Sequence, residues 1–112
     1  MQIENNKAQM RKGVLELSIL LVLRQKEAYP SDIIEELKKS GLDVPEGTVY
    51  PILTRLKNDN YLTYRWEESP KGPPRKYYMS TEAGNAFAEA LWNSWSELTQ
   101  SLEKLHNLTQ SK

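Results

Sequence analysis

The sequence predicts a mainly α-helical protein that carries one small two-stranded β-hairpin and ends in a long helix. Three patterns predict this fold class. Apolar residues recur at helical spacing in three segments before residue 60, a following stretch alternates apolar and polar side chains, and residues 88–105 repeat apolar side chains in steps of three or four. The 112 residues provide for one compact domain with an appended element, because a chain of this length buries a single core.

The first two helices are predicted before residue 41. The first is predicted over residues 8–26; it is apolar on more than one side and is therefore expected to lie at the centre of the core. Its apolar residues are Val14, Leu15, Leu17, Leu20, Leu21 and Leu23. The second is predicted to begin at Pro30 or Ser31 and to stop at Gly41, with Asp32 in its first turn as the helix dipole favours. Its buried side consists of Ile33, Ile34 and Leu37.

The third helix is predicted in PEGTVYPILTRLKNDN, which begins at Pro45. Its apolar stripe consists of Val49, Ile52, Leu53 and Leu56. Gly47 and Pro51 are poor helix formers near its beginning. Either Thr48 caps the helix and Pro51 falls in the first turn, where a missing N–H costs little, or the helix begins at Pro45 and Pro51 bends it. In both cases Gly47 permits close approach of a partner, and the N–H groups at the helix start suit a phosphate.

The hairpin is predicted between residues 61 and 80. YLTYRWEES alternates apolar and polar side chains as a strand does, the cluster PKGPP from Pro70 to Pro74 predicts a turn, and RKYYMS predicts the second strand. The only charged residues from position 69 to 80 are Lys71, Arg75 and Lys76. Basic charge is therefore concentrated at the hairpin tip, although the whole chain balances 15 Lys and Arg against 15 Asp and Glu.

The last helix is predicted to be capped by Thr81 and to extend to Leu108. Apolar residues at heptad spacing run along it: Ala88, Leu91, Trp95, Leu98, Leu102 and Leu105. At roughly 1.5 Å per residue it measures about 42 Å, against a radius of gyration of ~13 Å for a domain of this size. Its far end therefore needs a second chain. We expect a homodimer with an interface that contains Leu91, Trp95, Leu98, Leu102 and Leu105.

Several classes of protein are disfavoured by what the sequence lacks. It has no cysteine and therefore no disulfide or thiolate metal site, and its single histidine, His106, has no ligand at metal-binding spacing. The polar N-terminus does not resemble a signal peptide, and the longest apolar run, Ile19 to Leu23, is too short for a membrane span. We expect a cytoplasmic protein with no membrane association, no metal, no cofactor and no enzymatic activity.

Three helices followed by a basic two-stranded ribbon is the order of a winged helix-turn-helix domain, here predicted over residues 1–80, with a dimerisation helix over 81–112. In such domains one helix fits the major groove of DNA and the hairpin, or wing, reaches the neighbouring backbone. The pattern alone leaves open a winged-helix module that binds proteins.

Three motifs, EGTVYPILTRLKNDNYL, YRWEES and KGPPRKYYMSTEAG, resemble the signature of the PadR family of bacterial transcriptional regulators. The resemblance implies double-stranded DNA as a partner. In the smaller PadR subgroup the single C-terminal helix packs with the first helix across a homodimer, and multidrug-sensing members bind flat aromatic compounds at the dimer centre. One departure is Tyr29-Pro30-Ser31, which stands where the family has a Tyr-Gly-Tyr-like tripeptide and puts DNA contacts at that point in doubt.

The candidate DNA-binding residues lie on the third helix and the wing: Thr48, Tyr50, Arg55, Lys57, Lys71, Arg75 and Lys76. A solvated polar helix face and a rigid turn are the alternatives. Lys7, Arg11 and Lys12 add further cations, which a solvated helix start explains equally well. By the resemblance, an effector pocket for an aromatic small molecule is lined by Met10, Gly13, Leu17, Leu91, Trp92, Trp95 and Thr99. Packing in a dimer core is the alternative for the two tryptophans.

The sequence and the resemblance together predict a homodimeric repressor of a pseudo-palindromic operator, and the resemblance implies its release by an aromatic effector. Repression, as opposed to activation, is favoured only by the resemblance. Two other functions remain open, namely a winged-helix protein-interaction module and a small-molecule-binding protein without DNA-binding activity.

Overall fold

The computed structural model describes residues 2–110, and the predicted fold class is confirmed. The elements in chain order are α1 (Glu4–Lys12), α2 (Leu15–Gln25), α3 (Pro30–Lys39), α4 (Glu46–Asn58), β1 (Leu62–Ser69), β2 (Gly72–Ser80) and α5 (Glu82–Gln110). The longest dimension is 64 Å, against 33 and 21 Å for the other two, because α5 extends well beyond the core.

The predicted first helix is two helices, so the prediction of one helix over residues 8–26 was wrong. α1 ends at Lys12 and α2 begins at Leu15. Between them the Gly13 amide donates to the Met10 carbonyl at 3.3 Å and the Val14 amide to the Arg11 carbonyl at 3.0 Å. These 3₁₀-type hydrogen bonds, each between residues three positions apart, tighten the last turn of α1 and end the helix. They occur at a glycine, which is itself a poor helix former. α1 buries no side chain, whereas α2 is the central helix of the core.

The core is built around α2, which packs against α3, α4, α5 and β2. α3 and α4 contribute the predicted apolar stripes, with Ile34 only half-buried. The buried residues of these helices are Leu15, Leu17, Ile19, Leu20, Leu23, Ile33, Leu37, Val49, Ile52, Leu53 and Leu56. Leu62 of β1, Tyr78 of β2 and Ala88 of α5 belong to the same cluster, as do Ala28 and Val44. This packing fixes α4 and the hairpin relative to each other.

α4 begins earlier than a Thr48 cap would require. Pro45 is the extended residue before the helix, and its carbonyl accepts hydrogen bonds from the amides of Thr48 at 3.0 Å and Val49 at 3.3 Å. Thr48 therefore lies inside the first turn and does not cap the helix. Pro51 is inside the helix, where it lacks the N–H that would bond the Gly47 carbonyl four residues earlier.

The hairpin has a shorter turn than predicted. β1 and β2 pair antiparallel from Leu62 opposite Ser80 to Ser69 opposite Gly72, so the turn is residues 70–71. The predicted five-residue turn was wrong, because residues 73 and 74 lie in β2. Prolines are tolerated there because the pairing shifts register between Glu67 and Ser69, which leaves residues 73 and 74 without a partner in the β1 register.

The hairpin is attached to the helices just before α3. Ala28 and Tyr78 exchange two backbone hydrogen bonds, at 3.0 and 2.9 Å, which adds a short bridge to the outer edge of β2. A two-stranded hairpin is marginally stable alone, so this bridge and the packing of Leu62 and Tyr78 in the core hold it in place.

The predicted Thr81 cap of α5 is confirmed. Its Oγ1 accepts a hydrogen bond from the Gly84 amide at 2.9 Å and donates one to the Asn60 carbonyl at 2.8 Å. The first turns of α5 pack on the core, where Phe87 stacks on Tyr61 with ring centroids 4.2 Å apart. Beyond Leu91 the helix leaves the core.

Candidate nucleic-acid interface

The exposed face of α4 carries small and polar residues. Gly47, Pro51, Thr54 and Asn58 lie opposite the buried stripe and are all exposed. The Thr54 hydroxyl donates to the Tyr50 carbonyl at 3.2 Å, which keeps it close to the helix. Because the side chains on this face are short, the helix can approach a surface closely along its length. The major groove of B-DNA is wide enough to admit such a helix.

The predicted residues of α4 lie on its two flanks. Tyr50 and Lys57 lie toward the hairpin, where the Lys57 Nζ is 5.7 Å from the centre of the Tyr64 ring. Thr48 lies on the other flank, in a surface depression that it shares with Arg11 and other residues of α1. These flanks border the exposed face from both sides.

Arg55 lies toward α2, where its guanidinium forms an ion pair with Glu16. The two side chains are 55% and 33% exposed, so the pair stabilises the fold by only about 0–1 kcal/mol. The contact orients Arg55 along α2, and an approaching phosphate would have to replace the carboxylate. Sequence reasoning did not identify Glu16, because only the packing of α2 against α4 brings these two positions together.

The wing presents different side chains on its two faces. Strand alternation and the pairing register put Tyr64, Trp66, Lys76 and Tyr78 on one face. Lys76 is directly opposite Trp66, and its Nζ lies 4.6 Å from the centre of the Tyr64 ring and 5.6 Å from that of Trp66. These distances are in the range of cation–π contacts, which place the ammonium group on the aromatic surface.

The other face of the wing carries Arg65, Glu67, Arg75 and Tyr77. Arg65 is paired with Glu27 at 3.2 Å and with Glu67 at 2.5 Å. The hydrogen bond that Arg65 donates to Glu27, with the one it donates to Glu67, outweighs partial desolvation and raises the pKa of Arg65 above its ordinary value. Its charge is thus matched within the fold.

Arg75 has partners of a different kind. Its guanidinium carbon lies 4.0 Å from the centre of the Tyr29 ring, and its Nη2 donates to Ser31 Oγ at 2.9 Å. Lys71, the third predicted cation of the wing, is exposed in the turn. The three predicted cations of the wing therefore differ in their surroundings: Lys76 lies on aromatic rings, Arg75 contacts Tyr29 and Ser31, and Lys71 is exposed in the turn.

A cleft separates the start of α3, the outer side of α4 and β2. Its lining residues are Pro30, Ser31, Tyr50, Thr54, Trp66, Arg75, Lys76 and Tyr78. Burial raises the pKa of the Tyr78 phenol above its ordinary value. The structure thus brings together three predicted residues, Tyr50, Arg75 and Lys76, and adds Ser31, Thr54 and Trp66.

The residues predicted for an effector pocket do not converge within one chain. Trp92, Trp95 and Thr99 line a shallow groove on α5. Leu17 is buried in the core, Leu91 is half-buried against it, and the remaining two, Met10 and Gly13, are exposed at the end of α1.

Four of the five residues predicted for a dimer interface form an exposed apolar stripe on α5, whereas the fifth, Leu91, is half-buried against the core. Trp95, Leu98, Leu102 and Leu105 are between 41% and 61% exposed, and Leu108 continues the stripe.

No group of three or more His, Cys, Asp or Glu side chains in residues 2–110 is placed to hold a metal ion. Over the same range, no helix combines the length and the apolar character that crossing a bilayer requires.

The helices α2, α3 and α4 pack around one core with a wing beside α4, which defines a winged helix-turn-helix protein. Comparison with known proteins supports this class. Residues 19–90 match the family described as "Transcriptional regulator PadR-like family". The chain belongs to the PadR family of transcriptional regulators, which are not enzymes.

Three relatives illustrate the similarity. A PadR-like transcription factor from Bacteroides fragilis is 53% identical; the match covers 91% of this chain and 99% of that one, with a TM-score of 0.76. The transcriptional regulator Rv3488 of Mycobacterium tuberculosis is 31% identical over 78 residues, which are 70% of this chain and 72% of that protein. Bacillus subtilis PadR, solved in complex with operator DNA, is 25% identical over 69% of this chain and 45% of its own, with a TM-score of 0.64.

Proposed function

We propose that this PadR-family protein binds operator DNA as a homodimer, with α4 of each protomer in a major groove and the wing on the adjacent backbone. The observation that carries the proposal is the cleft in which Tyr50 of α4 meets Arg75 and Lys76 of the wing. The complex of Bacillus subtilis PadR with operator DNA supports the same role for this chain.

Local charge supports DNA binding although the net charge is zero. Lys71, Arg75 and Lys76 follow one another in the wing without an intervening acid, and such cations bind phosphates and release counterions. On α4, Tyr50 and Lys57 contact the backbone on the wing side. Thr48 and Arg55 contact it on the other side, and Arg55 exchanges Glu16 for phosphate.

Thr54 is the residue of α4 best placed to reach base edges. It is exposed between the two flanks, and a threonine offers both a hydroxyl for hydrogen bonds and a methyl group for the C5-methyl of thymine. Phosphate contacts by the flanks then orient the helix, while this central face carries sequence preference.

The exposed stripe of α5 supports a homodimer formed by residues 81–112, with residues 1–80 as the DNA-binding domain. Apolar residues at heptad spacing that are left open to water are the usual surface of helix pairing. A two-fold dimer pairs with a pseudo-palindromic operator whose half-sites are separated by about 34 Å or a multiple of it. Because the target is bacterial DNA, we place the protein in the cytoplasm.

The groove formed by Trp92, Trp95 and Thr99 supports a role for an aromatic effector. In a dimer, residues around Met10 of α1 would close over this groove from the partner side. A ligand bound there changes the angle between protomers and releases the operator, which makes the protein a repressor. Such coupling requires that the ligand bind the two dimer states with different affinities.

Footprinting on the DNA upstream of the protein's own gene, with and without aromatic compounds, tests the proposal. We expect protection of a pseudo-palindrome that is lost on addition of an effective compound. Arg75→Ala should weaken the footprint, whereas Lys104→Ala, which removes one exposed cation from the far part of α5, should leave it intact. Absence of any protected site, or equal loss with both variants, would contradict DNA binding through the wing.

A further inference from the structure

The tripeptide Tyr29-Pro30-Ser31 lies where the wing meets the start of α3. Tyr29 is the residue before α3, and the neighbouring Ala28 is bonded to β2. We propose that Tyr29 and Ser31 are positioning residues that hold Arg75 against the start of α3 and so determine where the wing meets DNA. This inference rests on the DNA-binding function proposed above.

The Tyr29 ring is a fixed surface for the guanidinium group. It makes an edge contact with the Tyr77 ring, with centroids 4.7 Å apart and planes at 66°. Its backbone is held as well, because the Tyr29 amide donates to Asp32 Oδ2 at 3.2 Å and its carbonyl accepts the amides of Asp32 and Ile33. Because Tyr29 is held through its ring by Tyr77 and through its backbone by α3, it positions Arg75 more firmly than an aliphatic side chain could.

The contacts of Arg75 leave its charge available. Among residues 2–110, Arg75 takes part in no ion pair, whereas Arg65, on the same face of the wing, is matched by Glu27 and Glu67. The Tyr29 ring and the Ser31 hydroxyl are both neutral partners. A guanidinium group has five N–H donors, and the bond to Ser31 leaves the others for a phosphate.

Holding Arg75 in place before DNA arrives has a physical advantage. A long side chain loses rotamer freedom when it binds, and ordering it beforehand removes part of that entropic cost. The same contacts join the wing to the start of α3, whose first residues line the cleft. The wing and the two helices then approach DNA as one surface.

Operator affinity, measured by fluorescence anisotropy, tests the proposal with a double-mutant cycle. Tyr29→Leu is expected to weaken binding about two- to five-fold, the range of an exposed cation–π contact, while Tyr29→Phe keeps wild-type affinity. In an Arg75→Ala background, Tyr29→Leu should have no further effect. An equal loss in both backgrounds would show that Tyr29 acts through the fold and not through Arg75.

The salt dependence separates positioning from direct contact. Arg75→Ala is expected to reduce the slope of log affinity against log salt by about 0.9, the value for one phosphate contact. Tyr29→Leu should leave the slope unchanged, because Arg75 still reaches the phosphate. A slope reduced by Tyr29→Leu alone would overturn the assignment of this residue to positioning.

A measurement without DNA distinguishes failure of this inference from failure of the proposed function. ¹⁵N relaxation of the Arg75 Nε reports its motion on the picosecond to nanosecond scale. We expect a restricted Arg75 in the wild type and a more mobile one after Tyr29→Leu. Ser31→Ala, at an exposed position, should give a smaller increase and is available if the first variant does not fold. Equal mobility in the wild type and both variants would refute the inference, whereas a wild type with restricted Arg75 but no operator binding would refute only the proposed function.

Discussion

Gly84→Ala should destabilise the protein, although the same exchange in most helices is stabilising. Gly84 is buried in the first turn of α5, and a Cβ added there would lie 2.0 Å from the Tyr61 carbonyl oxygen and 2.8 Å from Ser80 Oγ. Ordinary contact needs about 3.5 Å, so the helix or residue 61 would have to move by roughly 1.5 Å. The same carbonyl accepts the Thr81 amide at 3.1 Å, so this movement also weakens a hydrogen bond beside the cap.

The expected magnitude follows from opposing effects. Alanine gains about 1 kcal/mol over glycine in helix propensity. Overpacking costs about 1–3 kcal/mol and a lost hydrogen bond about 1 kcal/mol, so the free energy of unfolding should fall by about 2 kcal/mol. Urea unfolding followed by circular dichroism measures it, at one fixed protein concentration because the proposed dimerisation would couple to folding.

Gly47→Ala provides a matched control in α4. Apart from its chain neighbours and the backbone of α4 itself, no atom of residues 2–110 lies within 4 Å of the added Cβ, so this variant should be about 0.5 kcal/mol more stable than the wild type. If Gly84→Ala were as stable as the wild type, or if both variants lost the same stability, the close packing of α5 on residue 61 described above would be contradicted.

Three further outcomes test the interface and the dimer. Changing Lys71, Arg75 and Lys76 together to alanine should reduce the salt slope of DNA binding by about 2.7, and an unaltered slope would remove the wing from the interface. Truncation after Trp92 should abolish the stable dimer, and a fully dimeric truncate in sedimentation would contradict pairing through the heptad stripe. Trp95→Ala should abolish aromatic-dye binding, measured by dye fluorescence, and retained affinity would place the ligand elsewhere.

Local sequence signals predicted most of the fold. Three of its features depend on residues only a few positions apart and can therefore be predicted from local sequence patterns. They are the apolar stripe of α4, the end of α3 near Gly41 and the Thr81 cap of α5. Gly41 indeed has a φ of 95°, which glycine adopts without strain. The break at Gly13 was missed because a single glycine is tolerated in many helices, and whether it ends one depends on where the neighbouring segments pack.

The candidate site was predicted in part. Arg75 and Lys76 were identified from the concentration of charge, but their partners were not. Tyr29 and Ser31 are far from Arg75 in sequence and meet it only because Ala28 bridges to β2. In the same way, the ion pair of Arg55 arises from the packing of two helices.

The sequence by itself determined the order of elements from α2 onward, the basic wing and the apolar stripe of the last helix, because these follow from periodicity and from the charge of neighbouring residues. Only the tertiary structure decided which cations are matched by carboxylates and which rest on neutral partners. Arg65 and Arg75 have the same side chain in adjacent strands, yet one is paired with Glu27 and the other lies on Tyr29. The difference arises from the elements that pack beside each strand, and it separates a cation paired within the fold from one that we propose is left available to a phosphate.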